Sequence, residues 1–129
     1  MPTLARTFLA RAFDRAPRDP HDDPKGPKGL TTLHEPGPEQ PVVADLVFVH
    51  GLNGGSRSTW SERGDPALFW PREWLPRDEA FRDVRVHSFG YPSGVSRRSV
   101  LDIRDFARGL MVAVADSPVM NRSRDRQVR

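Results

Sequence analysis

The sequence predicts an α/β chain built on a parallel sheet, and three observations carry that expectation. An apolar, β-branched run from Val42 to Val49 stops at His50-Gly51, a second strand-like run covers Val84 to Phe89, and a stripe of apolar residues at helical spacing extends from Val100 to about Asp116. Strand, long crossover, strand and helix in this order are the pattern of parallel strands flanked by helices. With 129 residues the chain has room for one modest core and no second one.

Residues 1–15 carry Arg6, Arg11 and Arg15, no acid before Asp14, and apolar Leu4, Phe8, Leu9, Ala12 and Phe13 at spacings that suit an amphipathic helix. Mitochondrial targeting segments have this composition. Ala16 to Gly29 runs through Pro17, Pro20, Pro24 and Pro27 with mixed charges and buries too little apolar surface to offset its ordering entropy. Residues 1–29 are therefore expected to be a presequence-like or disordered segment. Leu30 to Glu35 is expected to form a short edge strand ended by Pro36, Gly37 and Pro38.

The run from Val42 to Val49 is broken only by Asp45, which suits a strand buried on both faces. Val84 to Phe89 closes at Gly90, Tyr91 and Pro92, and all three tryptophans lie in the connection between the two strands. In the helix, Val100, Ile103, Ala107, Leu110, Met111 and Val114 share the stripe expected to face the core, with Asp102, Arg104, Asp105 and Arg108 opposite. Ser99 and Asp102 make a capping-box-like start, and Ser117-Pro118 a stop. The domain is thus expected over 30–118, followed by a basic disordered tail over 119–129.

Composition removes several function classes. Zero cysteines exclude disulfides, thiolate zinc sites and cysteine nucleophiles. No run approaches the ~20 apolar residues that span a bilayer. The net charge of +3 resides in the last nine residues, where Arg122, Arg124, Arg126 and Arg129 face Asp125, so the body is neutral and nucleic-acid binding is not expected. His50, His87 and Asp45 match no common metal spacing and read as structural residues; no metal is expected.

The segment His50-Gly51-Leu52-Asn53-Gly54-Gly55-Ser56 follows the carboxyl end of the first long strand, the place where open parallel sheets carry their sites. Glycine-rich backbone there can offer bare N–H groups to a phosphate or to the oxyanion of an acyl-transfer intermediate. Phosphate cradling is poorly matched: no lysine follows Lys28, which excludes a Walker loop, and the glycine spacing departs from Gly-x-Gly-x-x-Gly. No cofactor is expected. A His-Gly motif in an oxyanion loop is, by contrast, an α/β-hydrolase feature.

The ordered pieces Ala44 to Leu52, Thr59-Trp60, Phe69-Trp70-Pro71 with Trp74-Leu75-Pro76, and His87-Ser88-Phe89-Gly90-Tyr91 together resemble the start of the serine esterases and lipases of the α/β-hydrolase fold. These include the mitochondrial and endoplasmic-reticulum "serine active site containing" proteins and the hydrolase-like domains at the front of fungal NACHT and NB-ARC signalling proteins. The resemblance covers roughly residues 30–118. It implies an incomplete α/β-hydrolase-like sheet in which Leu52 supplies a backbone oxyanion donor, His50 and Gly51 shape the loop, and Asn53, Tyr91 and Ser93 lie near the substrate. It also implies that Trp60, Phe69, Trp70 and Trp74 pack the crossover on the sheet. By the same resemblance the protein is expected in the mitochondrion or endoplasmic reticulum, with the cytoplasm as the alternative and peripheral membrane contact allowed.

A serine nucleophile needs a base and an orienting acid, and in this fold stands in Gly-x-Ser-x-Gly. The chain has no such elbow; Gly90-Tyr91-Pro92-Ser93-Gly94 holds its serine one position late. The expectation is therefore an amino-terminal fragment of a serine ester hydrolase domain, inactive alone, whose lipid or ester substrate belongs to a complete chain. The alternative is a noncatalytic interaction or signalling module of the same fold that binds a protein partner through an exposed sheet edge.

Overall fold

The computed structural model describes residues 23–94 and 103–127. The presequence-like segment over 1–15, the cap at Ser99 and the helix start at Val100 lie outside the described residues. Three strands, β1 (Gly29–His34), β2 (Ala44–Val49) and β3 (Val84–Gly90), form one sheet in the order β1-β3-β2. Strand β3 runs antiparallel to β1 and parallel to β2. The sheet is mixed, which corrects the expectation of a parallel one. Pro36, Gly37 and Pro38 turn the chain after β1, and residues 35–43 then pass the end of β3 to set β2 on its far side.

Burial follows from that order. Strand β3 has a neighbour on each side and is buried from Arg85 to Gly90. Strand β2, expected to be buried on both faces, is an edge: Ala44, Asp45 and Val49 are exposed and Leu46, Val47 and Phe48 half-buried. An apolar run has the same composition whether it ends up central or lateral, and the number of paired neighbours decides.

Side chains alternate between the sheet's two faces. On one face Phe48 meets Trp60 and Trp70 edge-on at centroid distances of 5.1 and 5.2 Å, and the Ser88 hydroxyl donates to the Ser56 carbonyl. The crossover that supplies these residues is a chain of 3-10 turns around one short helix, α1 (Trp70–Glu73). Pro66, Pro71 and Pro76 deny a longer helix its amide donors. Asp65 and Asp78 each cap a turn by accepting the amides of Ala67 and Ala80. Phe69 is buried, but Trp74 is half-exposed at 48%.

The other face, with Arg85, His87 and Phe89, is covered by α2 (Ile103–Ala115) and by α3 (Pro118–Gln127). The packed face of α2 is turned by about 60° from the expected stripe, at 100° per residue. Phe106, Leu110, Ala113 and Val114 are half-buried, while Ile103, Ala107 and Met111 are exposed. Phe106, the bulkiest residue of the helix, lies on the Tyr91 ring at 4.5 Å and sets this rotation. Two further differences concern the ends. Residues 118–127 form α3 where a disordered tail was expected, and the residues from Asp23 to Lys28 hydrogen-bond to the domain where a linker was expected.

Candidate functional site

Strand β2 delivers His50 to the carboxyl end of the sheet, where the residues following β3 receive it. The His50 ring is buried (3% exposed) and stacks on Tyr91 with centroids 4.1 Å apart and planes 8° from parallel. The Tyr91 amide donates to His50 Nε2 at 3.1 Å, and the Tyr91 hydroxyl donates to the His50 carbonyl at 2.7 Å. A backbone N–H can only donate, so Nε2 is bare and the proton sits on Nδ1, 2.9 Å from the Gly51 carbonyl. His50 therefore shapes the loop from within.

The next residues close a turn. The Gly54 amide donates to the Gly51 carbonyl at 3.1 Å, and Asn53 takes a left-handed φ of 59°. From the segment after β3, the Ser93 carbonyl accepts the Asn53 amide at 2.8 Å and the Ser93 hydroxyl donates to the Gly54 carbonyl at 2.8 Å. The N–H and C=O of a trans peptide point in opposite directions. Because His50 Nδ1 and the Gly54 amide both hold the Gly51 carbonyl, the Leu52 N–H on the same peptide faces away from them. Among the described residues it has no acceptor, and Leu52 is 70% exposed.

The structure thus brings His50, Gly51, Leu52, Asn53, Tyr91 and Ser93 together at one end of the sheet. Tyr91 and Ser93 commit their hydroxyls to the loop. A cavity of about 400 Å³ lies at the opposite end of the strands, between Glu35, Pro38, Val42, Arg85 and Arg122.

Asp45 and His87 read as structural residues in the sequence, but Arg85 and the network that joins the three escaped that reading. Asp45 receives Arg85 through both carboxylate oxygens, at 2.7 and 2.9 Å, and His87 Nε2 at 2.8 Å, while His87 Nδ1 meets the Thr32 hydroxyl at 3.0 Å. Arg85 and His87 are fully buried. Burial pushes the Asp45 carboxyl up, but the hydrogen bonds from Arg85 and His87 and the Arg85 charge outweigh it and hold the group below its usual value. Asp45 in turn raises the Arg85 guanidinium. The available signal was Arg85 and His87 at alternate positions of a strand, between Val84, Val86 and Ser88. Among the described residues no three His, Asp or Glu side chains gather to hold a metal.

The chain is similar to Protein SERAC1. Identity is 28% over 107 residues with the Bos taurus protein, covering 71% of this chain and 15% of the relative. With the Danio rerio protein it is 30% over 108 residues, covering 72% and 16%. With the Mus musculus protein it is 28% over 83 residues, covering 53% and 12%. The chain therefore spans about a sixth of the length of the curated relatives it matches. No family model and no solved structure matches it.

Proposed function

We propose that the chain is the amino-terminal part of a serine ester hydrolase domain and contributes its oxyanion loop. The observation that carries this reading is the outward Leu52 N–H on a turn held from beneath by His50, at the carboxyl end of two parallel strands. A backbone donor fixed before the substrate arrives stabilises a tetrahedral oxyanion without reorganising. Similarity to Protein SERAC1 over most of the chain supports the same lineage. In this reading Asn53 lies near the substrate beside Leu52, and the nucleophile, acid and base are supplied from outside these residues.

Two experiments test it. The purified chain should not turn over a short-chain p-nitrophenyl ester in a manner blocked by a serine-directed inhibitor. A chimera in which this chain replaces the matching segment of the Bos taurus relative should be labelled by a fluorophosphonate probe, and Leu52→Pro, which deletes the amide donor, should lower the labelling rate roughly 100-fold. An unlabelled chimera would sink the reading.

A second reading, a noncatalytic module, is favoured by one observation: among the described residues β2 has an unpaired edge, with Val43 (68% exposed) and Val49 (43%) beside it. Capture of an extended partner strand in the absence of any labelled chimera would support it. For location we propose the mitochondrion or endoplasmic reticulum. A reporter fused to residues 1–20 that stays diffuse in the cytosol would remove mitochondrial import. Among the described residues no helix is long and apolar enough to cross a membrane.

A further inference from the structure

The segment from Asp23 to Lys28 fills a slot beside the glycine loop, and the slot admits only backbone. The Lys25 carbonyl accepts the amides of Arg57 and Ser58 at 3.0 and 3.2 Å, and the Pro27 carbonyl accepts the Ser56 hydroxyl at 2.7 Å. A Cβ on Gly55 would collide with the Lys25 carbonyl, and one on Gly90 with the Pro27 carbonyl. These two glycines therefore serve the approach of the chain to itself.

From this anchored backbone the Lys25 side chain reaches across to the turn, where its ammonium donates to the Asn53 carbonyl at 3.1 Å. That carbonyl belongs to the peptide whose other end, the Gly54 N–H, closes the turn on the Gly51 carbonyl. One peptide plane is thus gripped at both ends. The left-handed Asn53 costs roughly 1 kcal/mol in an unsupported chain, and the Lys25 contact adds to the Ser93 hydrogen bonds that hold the turn against that cost.

We propose that Lys25 is a positioning residue for the glycine turn, which it holds through the Asn53 carbonyl so that the Leu52 N–H keeps its outward direction. The purpose of the turn rests on the oxyanion reading above; the clamp itself does not. Its test is amide hydrogen exchange on the full chain. Lys25→Met should speed exchange of the Gly54 amide roughly fivefold, the scale of one exposed charge-assisted hydrogen bond. Lys25→Arg, which keeps a donor of similar reach, should restore protection. Lys28→Met, which breaks only the exposed Lys28–Asp23 pair at 2.9 Å, should leave Gly54 unchanged. Amides of β3 report global stability. Gly54 exchange that ignores Lys25→Met, rises only in step with β3, or is not rescued by arginine would overturn the clamp. An unlabelled chimera, by contrast, would remove the oxyanion reading and leave these exchange results as they stand.

Discussion

The His50 and Tyr91 rings lie face to face, 4.1 Å apart, and two further hydrogen bonds join the same pair. One residue ends β2 and the other follows β3, so a single contact ties together the two loops at the carboxyl end of the sheet.

Tyr91→Phe keeps the stack and removes only the hydroxyl that satisfies the buried His50 carbonyl. A cost of about 1–2 kcal/mol is expected, read as a lower urea midpoint with an unchanged slope.

The Tyr91 amide allows His50 one neutral form, with the proton on Nδ1. A long-range proton–nitrogen spectrum of the imidazoles should show a protonated Nδ1 and a bare Nε2 for His50. The opposite tautomer would contradict the clasp.

Asp45 makes stability depend on acid. Its folded-state ionisation lies below the unfolded value near 3.8, so the stabilisation is complete above about pH 4 and disappears as pH falls through the folded value. Asp45→Asn should flatten the loss of unfolding free energy below pH 4. At neutral pH the same substitution leaves buried Arg85 without its counter-charge and should cost roughly 3 kcal/mol by denaturant titration.

Trp60 and Trp70 should respond differently to replacement. Among the described residues the buried Trp60 Nε1 has no hydrogen-bond partner, so Trp60→Phe removes an unsatisfied donor along with some volume and should change stability by no more than about 1 kcal/mol. Trp70→Ala removes a ring that meets both Phe48 and Trp60 and should cost about 3 kcal/mol in the same titration.

The strands were legible because β-branched runs bounded by glycine and proline leave few alternatives. The expected edge strand at Leu30 to Glu35 appears as β1, Val84 to Phe89 as β3, and the helix expected to end near Asp116 ends at Ala115. The glycine loop was also visible as a motif, because His50-Gly51 directly follows an apolar run. What spacing could not show was which partner each element meets. Ile103, Ala107 and Met111 form a proper helical stripe, yet Phe106 captures Tyr91 and turns that stripe toward solvent. Asp23 to Lys28 has the composition of a linker, yet its carbonyls fit against Gly55 and Gly90 across some 30 to 60 residues of chain.

Sequence by itself determined the local features: where strands start and stop, that a glycine-rich loop follows Val49, and that no Gly-x-Ser-x-Gly serine is present. Tertiary structure alone decided that β2 is an edge, that Asp45 is joined to Arg85 and His87, and that Lys25 grips Asn53. The division has a physical basis. Turn and strand preferences are set by steric terms within a few residues, whereas burial, charge pairing and backbone close approach depend on groups that only the folded chain brings within a few ångströms of each other.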